Sequence, residues 1–95
     1  MQNFEHFSII WSDYMKYKAH LRGFELAKIE DILRYSQERY FDTITRREIA
    51  VASHDKRLVM VAYEKTENGM IPVTIHATTR QQINFRLKTG RFVYE

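Results

Sequence analysis

The chain has no cysteine in its 95 residues, which excludes disulfides, thiolate nucleophiles and cysteine-based zinc centres. Packing alone must hold it together. A single proline, Pro72, and three glycines, Gly23, Gly69 and Gly90, are too few for a flexible linker or a low-complexity tract, and no internal repeat is visible. There is no Gly-rich phosphate loop, no His-Glu-x-x-His and no Gly-x-Ser-x-Gly. No apolar run approaches the roughly twenty residues that a membrane-crossing helix needs. The start, Met-Gln-Asn-Phe-Glu-His, has neither the basic nor the apolar part of a secretory leader. The expectation is a cytoplasmic protein without membrane contact.

What is present points to one folded domain spanning residues 1–95. A hydrophobic content of 44%, with 14% aromatics, suffices for one core in a chain of this length and argues against disorder. The formal net charge of +3 is unevenly placed. Residues 1–44 hold six Lys/Arg and seven Asp/Glu, whereas residues 45–95 hold nine and five, so the halves carry −1 and +4. Between Arg80 and Arg91 four cations occur and no acid. Such a one-signed segment suits phosphate, although many slightly basic domains never meet nucleic acid.

The patterning predicts an α+β fold. Residues 4–10 read as a short strand, and Ser12 is the expected N-cap of a helix over 13–21 that Gly23 stops. Residues 25–35 place Leu26, Ile29, Ile32 and Leu33 on one helical face. From Glu38 onward the period becomes two, with β-rich runs at 47–53, 57–65 and 70–77 expected to form an antiparallel meander. Asn68-Gly69, a pair that tolerates positive φ, is the expected hairpin turn between the last two runs, and His54-Asp55 the other. A basic helix over 79–88 ends at Gly90, and residues 91–94 are expected to trail as an extended tail. The expectation is two N-terminal helices on a small antiparallel sheet of three to four strands, followed by a short basic helix.

Alternation places Ile71, Val73, Ile75 and Ala77 on one face of the third run and Pro72, Thr74 and His76 on the other. His76 therefore projects away from the aliphatic row, just before Arg80, Arg86, Lys88 and Arg91. An imidazole among guanidinium groups has the chemistry for moving a proton while cations hold a phosphate, as transesterification of RNA by its own 2′-hydroxyl requires. The plainer reading is a solvated strand histidine beside a solvated helix face. On the first helix Tyr14, Lys18 and Arg22 form a stripe at i, i+4 and i+8, a second set able to grip phosphate. Trp11, Tyr14 and Met15 read more simply as core or boundary residues. With Ile49 and Val51 turned to the helices, Arg47 would sit at the rim of that face, and Glu48 would form a cross-strand ion pair. Tyr63, on the row of Val59 and Val61, reads as core. His6, His20, His54 and His76 show no metal-ligand spacing, so neither metal nor cofactor is expected. The unpaired edge of so small a sheet makes homo- or hetero-oligomerisation an expectation.

Taken in order, Trp11-Ser-Asp-Tyr14 through Leu21-Arg-Gly23, Ile29-Glu-Asp-Ile32, Val59-Met-Val-Ala-Tyr63 and Ile75-His-Ala-Thr-Thr-Arg80 resemble the RelE/ParE-like toxin superfamily, nearest to BrnT and the small domains grouped with it. The resemblance spans most of the chain and implies a RelE-like domain acting as a metal-independent messenger-RNA endonuclease, neutralised by a cognate antitoxin protein. It implies catalytic work for His76, Arg80 and Arg22, with Lys18, Arg47, Arg86, Lys88 and Arg91 holding RNA. Tyr14 stands where such relatives often carry histidine. The alternative is a catalytically silent RelE-like module that grips RNA or an acidic partner protein through the same basic face.

Overall fold

The computed structural model describes residues 4–95, and the first three residues of the stretch read above for a leader lie outside them. The elements follow as β1 (Ser8–Ile9), α1 (Asp13–Leu21), α2 (Leu26–Tyr35), β2 (Glu38–Asp42), β3 (Arg47–His54), β4 (Arg57–Lys65), β5 (Gly69–Thr78), α3 (Arg80–Lys88) and β6 (Phe92–Tyr94). The α+β class holds, but the sheet is larger than expected and mixed. Six strands lie in the order β1-β5-β4-β3-β2-β6, and β1 runs parallel to β5 while every other pair is antiparallel. The short strand expected within residues 4–10 is β1, whereas residues 92–94, expected to trail as an extended tail, pair with β2 as β6. Strands of two and three residues are too short to show a period, and Glu38–Asp42, two aromatics among three charged residues, has no apolar alternation of its own.

The local rules act at the ends of the helices. Ser12 caps α1 by accepting from the Met15 N–H at 3.1 Å, and Thr79 caps α3 by accepting from the Gln82 N–H at 3.1 Å. Gly23 and Gly90 follow α1 and α3 at φ of +77° and +80°, the left-handed conformation that glycine adopts without strain. The expected positive φ at Asn68-Gly69 is not found. Gly69 instead opens β5, where a Cβ would lie 3.0 Å from both the Ser8 carbonyl oxygen and Ile10 Cδ1. Its smallness serves the close approach of β1. The other turn is shifted by one residue, because His54 still pairs with Arg57 and Asp55 takes φ +56°.

Both faces of the sheet are covered. Met15, Ala19, Ile29, Ile32 and Leu33 from α1 and α2, with Phe24 from the turn between them, pack on Ala50, Val59, Val61, Tyr63, Met70 and Ile75. On the opposite face Ile83 of α3 joins Tyr40, Ile49, Val51, Ala62 and Phe92. Ile49 and Val51 therefore face α3, contrary to expectation, and the small Ala50 faces the helix pair. The bulkier residues of β3 went to the side that a single helix covers less completely. In β5 a register shift opposite Ala62/Tyr63 pairs Pro72 with Tyr63 and Thr74 with Ala62, leaving Val73 as the extra residue. Pro72 and Ile75 thus share the α1/α2 face, which simple alternation forbids, and Thr74 and His76 take the other. Trp11 is half-buried and Met15 buried as expected, but Tyr14 is 64% exposed.

Arg39 joins α2 to the sheet. Its Nη2 donates to the Leu33 carbonyl (2.5 Å), its Nε to the Ser36 carbonyl (2.9 Å) and its Nη1 to the Tyr63 hydroxyl (2.9 Å). Its guanidinium also lies 4.5 Å from the centre of the Phe4 ring. One fork-shaped cation thereby satisfies carbonyls at the end of α2 and a buried hydroxyl together.

Candidate nucleic-acid interface

The sheet face beneath α3 is only partly covered. Ile83 is buried there, whereas Phe85 on the other side of the helix is 65% exposed, so α3 rests on the sheet along a narrow line. Beside it opens a groove of about 410 Å³. Its floor is Ile49, Met60 and Ala62, and its walls carry Arg47, Thr74 and His76 from the strands, Gln82 and Arg86 from α3, and Arg91 from just before β6. Three guanidinium groups and an imidazole line a groove whose one carboxylate is Asp42.

Asp42 does not cancel them all, because it is buried and already engaged. Arg91 donates to both of its oxygens at 3.1–3.3 Å, and the Ile44 and Thr45 N–H groups donate to Oδ1 at 2.9 and 3.2 Å. Burial pushes the Asp42 pKa up, but Arg91 and those two backbone donors outweigh it and hold the carboxyl below the usual range. Arg47 has a loose partner in Glu64 at 3.9 Å. Arg86 has no carboxylate partner among the described residues; its guanidinium lies 5.6 Å from the Phe92 ring.

His76 sits at the end of a cross-strand row, Glu38-Val51-Met60-His76, on the α3 face. The strand β1 pairs with β5 only at Gly69 and Met70, leaving the rest of that edge uncovered. Arg22, at the C-cap of α1, reaches round this edge. Its Nη1 donates to the Ile75 carbonyl at 2.8 Å and lies 3.5 Å from Nδ1 of His76. Partial burial, then the charges of Arg22 and Arg86, lower the His76 pKa and so favour the neutral ring.

Five of the eight residues proposed from sequence thus come together: His76 and Arg22 in contact, with Arg47, Arg86 and Arg91 along the groove. The remaining three lie apart. Arg80 forms a two-pronged ion pair with Glu38, at 2.5 and 3.0 Å, and Glu38 also accepts from the Tyr40 hydroxyl at 2.6 Å. Burial alone would raise the Glu38 pKa; the bonds from Arg80 and Tyr40 outweigh it and lower it. Lys18 lies over the Tyr14 ring on the outer side of α1, and Lys88 is exposed at the end of α3. Sequence reasoning missed Asp42, Thr74 and Gln82. Asp42 carried no signal because none of the expected β runs covers residues 38–42.

One other polar cluster was tested as a metal centre. Ligand atoms of Glu25, His54 and Asp55 lie within 4.8 Å of one another. However, the Glu25 N–H donates to Nε2 of buried His54 at 3.1 Å, which places the ring proton on Nδ1, the nitrogen that faces Asp55. The Lys28 ammonium already bridges the two carboxylates. The donor set does not fit a cation. Glu48 forms the expected cross-strand pair, with Lys65 at 3.7 Å, and Tyr63 is buried.

No helix among the described residues is long and apolar enough to cross a membrane. Compared with known proteins, the chain matches no protein-family model, no curated protein and no solved structure.

Proposed function

We propose that the groove beside α3 binds the backbone of single-stranded RNA and that the protein cleaves it without metal, as a RelE-like toxin held in check by a cognate antitoxin in the cytoplasm. The observation that carries this reading is the pairing of a neutral imidazole with a guanidinium 3.5 Å away, at the end of a groove lined by three further arginines. In the proposed step neutral His76 takes the proton of a ribose 2′-hydroxyl. The 2′-oxygen bonds to phosphorus, the bond to the 5′-oxygen breaks, and the leaving oxygen takes a proton from the imidazolium or from water. Arg22 and Arg86 offset the negative charge that builds on the phosphate oxygens.

A second reading, a silent module that binds RNA or an acidic protein, is favoured by a different observation. Among the groove's lining residues Asp42 is the only other carboxyl or imidazole, and Arg91 holds it ionised. Tyr14, where relatives often carry histidine, points to solvent from α1.

The test is induced expression in a bacterial host, with His76→Ala and Arg22→Ala beside the wild type and total RNA examined for cleavage. Arrest with RNA cutting, lost in both variants while they remain folded, supports the nuclease. Normal growth and intact RNA from well-expressed protein turn the assignment to the silent module.

A further inference from the structure

We infer that Phe85 is a stacking platform for a nucleobase next to the phosphate held in the groove, which makes the preferred ligand single-stranded rather than duplex. The inference rests on the RNA reading above and deepens it. A second cavity, of about 400 Å³, lies on the outer side of α3 and is lined by Gln81, Gln82, Phe85, Arg86, Thr89 and Arg91. It shares Gln82, Arg86 and Arg91 with the groove, so these side chains stand between the two. The spacing explains the division of labour. Gln82 and Arg86 are one turn apart on the side toward His76, and Gln81 and Phe85 are one turn apart on the neighbouring stripe.

Phe85 is chemically out of place at 65% exposure on a polar helix. Its neighbours in the cavity are cations and amides, with no carboxylate among the described lining residues. An apolar protein partner gains little from such a rim, whereas a base offers a flat π-face to the ring and polar edges to the amides. Gln82 accepts from the Thr78 hydroxyl at 3.0 Å through its amide oxygen, which leaves its N–H groups as donors. Arg86 stands between the two cavities, placed to hold the phosphate that joins one nucleotide to the next.

The experiment is a fluorescence titration with a short single-stranded RNA carrying 2-aminopurine, an adenine analogue quenched on stacking, at several salt concentrations. Quenching on binding is expected for the wild type. Phe85→Ala should lose the quench and bind roughly 10-fold more weakly, with the same salt slope, because stacking involves no counterion. Phe85→Trp should restore both, and duplex RNA should bind wild type and Phe85→Ala alike. Wild-type affinity and quench in Phe85→Ala overturn the platform while leaving the groove intact, provided that Arg86→Ala lowers the salt slope by about 0.7. Equal loss for duplex and single strand also overturns it. If the wild type binds no RNA even at low salt, the groove reading fails and the platform with it; self-association relieved by Phe85→Ala would then mark the ring as a protein contact.

Discussion

Arg22 and His76 are 54 positions apart in the chain, yet a guanidinium nitrogen of one lies 3.5 Å from Nδ1 of the other. Arg22 comes from the helix face of the sheet and His76 from the opposite face. They meet at an edge that β1 leaves uncovered, where Arg22 also holds the Ile75 carbonyl. The contact therefore anchors α1 and adds to the burial that lowers the pKa of the imidazole.

Under the proposed nuclease activity, that relationship predicts a pH dependence of cleavage. Burial, Arg22 and Arg86 lower the His76 pKa, so the rate should rise with pH through a midpoint below about 6.5 and then level off. Arg22→Ala should reduce the rate and move the midpoint upward, because one of the charges opposing protonation is gone. The same sign applies to stability: the unfolded chain binds the proton more readily, so His76 costs nothing above about pH 6.5 and subtracts stability below it. A pH–rate profile that is flat between pH 5 and 8, or unchanged in Arg22→Ala, would remove His76 from the mechanism.

Arg80 should matter less than its position after His76 suggests. Its exposed guanidinium is tied to the half-buried Glu38. Solvent screens an exposed guanidinium, so Arg80→Ala should leave the melting temperature within a few degrees of wild type. The cleavage rate should change by only a few-fold, against a loss of about 100-fold or more for His76→Ala. Similar losses in the two variants would show that Arg80 leaves Glu38 when RNA binds.

Arg39→Ala should destabilise the fold by about 2–4 kcal/mol in urea denaturation, since it strands two carbonyls near the end of α2 and the Tyr63 hydroxyl. Arg39→Lys should recover less than half of that, because one ammonium cannot span three acceptors in a plane. A full recovery would reduce the arginine to a mere positive charge.

The Asp42–Arg91 pair ties β2 to the start of β6. Arg91→Ala should cost about 1–3 kcal/mol at pH 7 by leaving a buried carboxylate short of donors. The folded-state pKa of Asp42 is lowered, so the pair's contribution is present above about pH 4 and is lost as the carboxyl protonates below it. The difference between wild type and Arg91→Ala should accordingly shrink at pH 3. A gap that stays constant from pH 7 to pH 3 would contradict the ion-pair account.

Gly69→Ala should lower the melting temperature by roughly 5–15 °C, the equivalent of about 1–3 kcal/mol of overpacking. The added methyl would meet the Ser8 carbonyl oxygen at 3.0 Å, and backbone yields less easily than a side chain. Unchanged stability would mean that β1 can shift away from β5 at no cost.

Much of the scaffold was legible locally. Ser12, Gly23, Thr79 and Gly90 delimit α1 and α3 through short-range hydrogen bonds and backbone freedom, and these act within a turn of the chain. The long strands β3, β4 and β5 announced themselves by composition. A strand was legible at residues 4–10, where β1 lies, but its parallel pairing with β5 was not, nor was the pairing of β2 with β6, since both join segments far apart in sequence. The β5 bulge was equally hidden, and with it the face that Pro72 takes.

By itself the sequence determined the elements with their own caps and periods, the excess of cations near the C-terminus and the position of His76 just before them. Tertiary structure decided which of those cations share a groove. Strand order brings Arg47 of β3 and Arg91, just before β6, to the side of His76, Glu38 withdraws Arg80, and the open edge of β5 admits Arg22 from the other face. Caps and periods arise from neighbours within four residues, whereas a charge cluster depends on chain crossings and on which partner reaches each cation first.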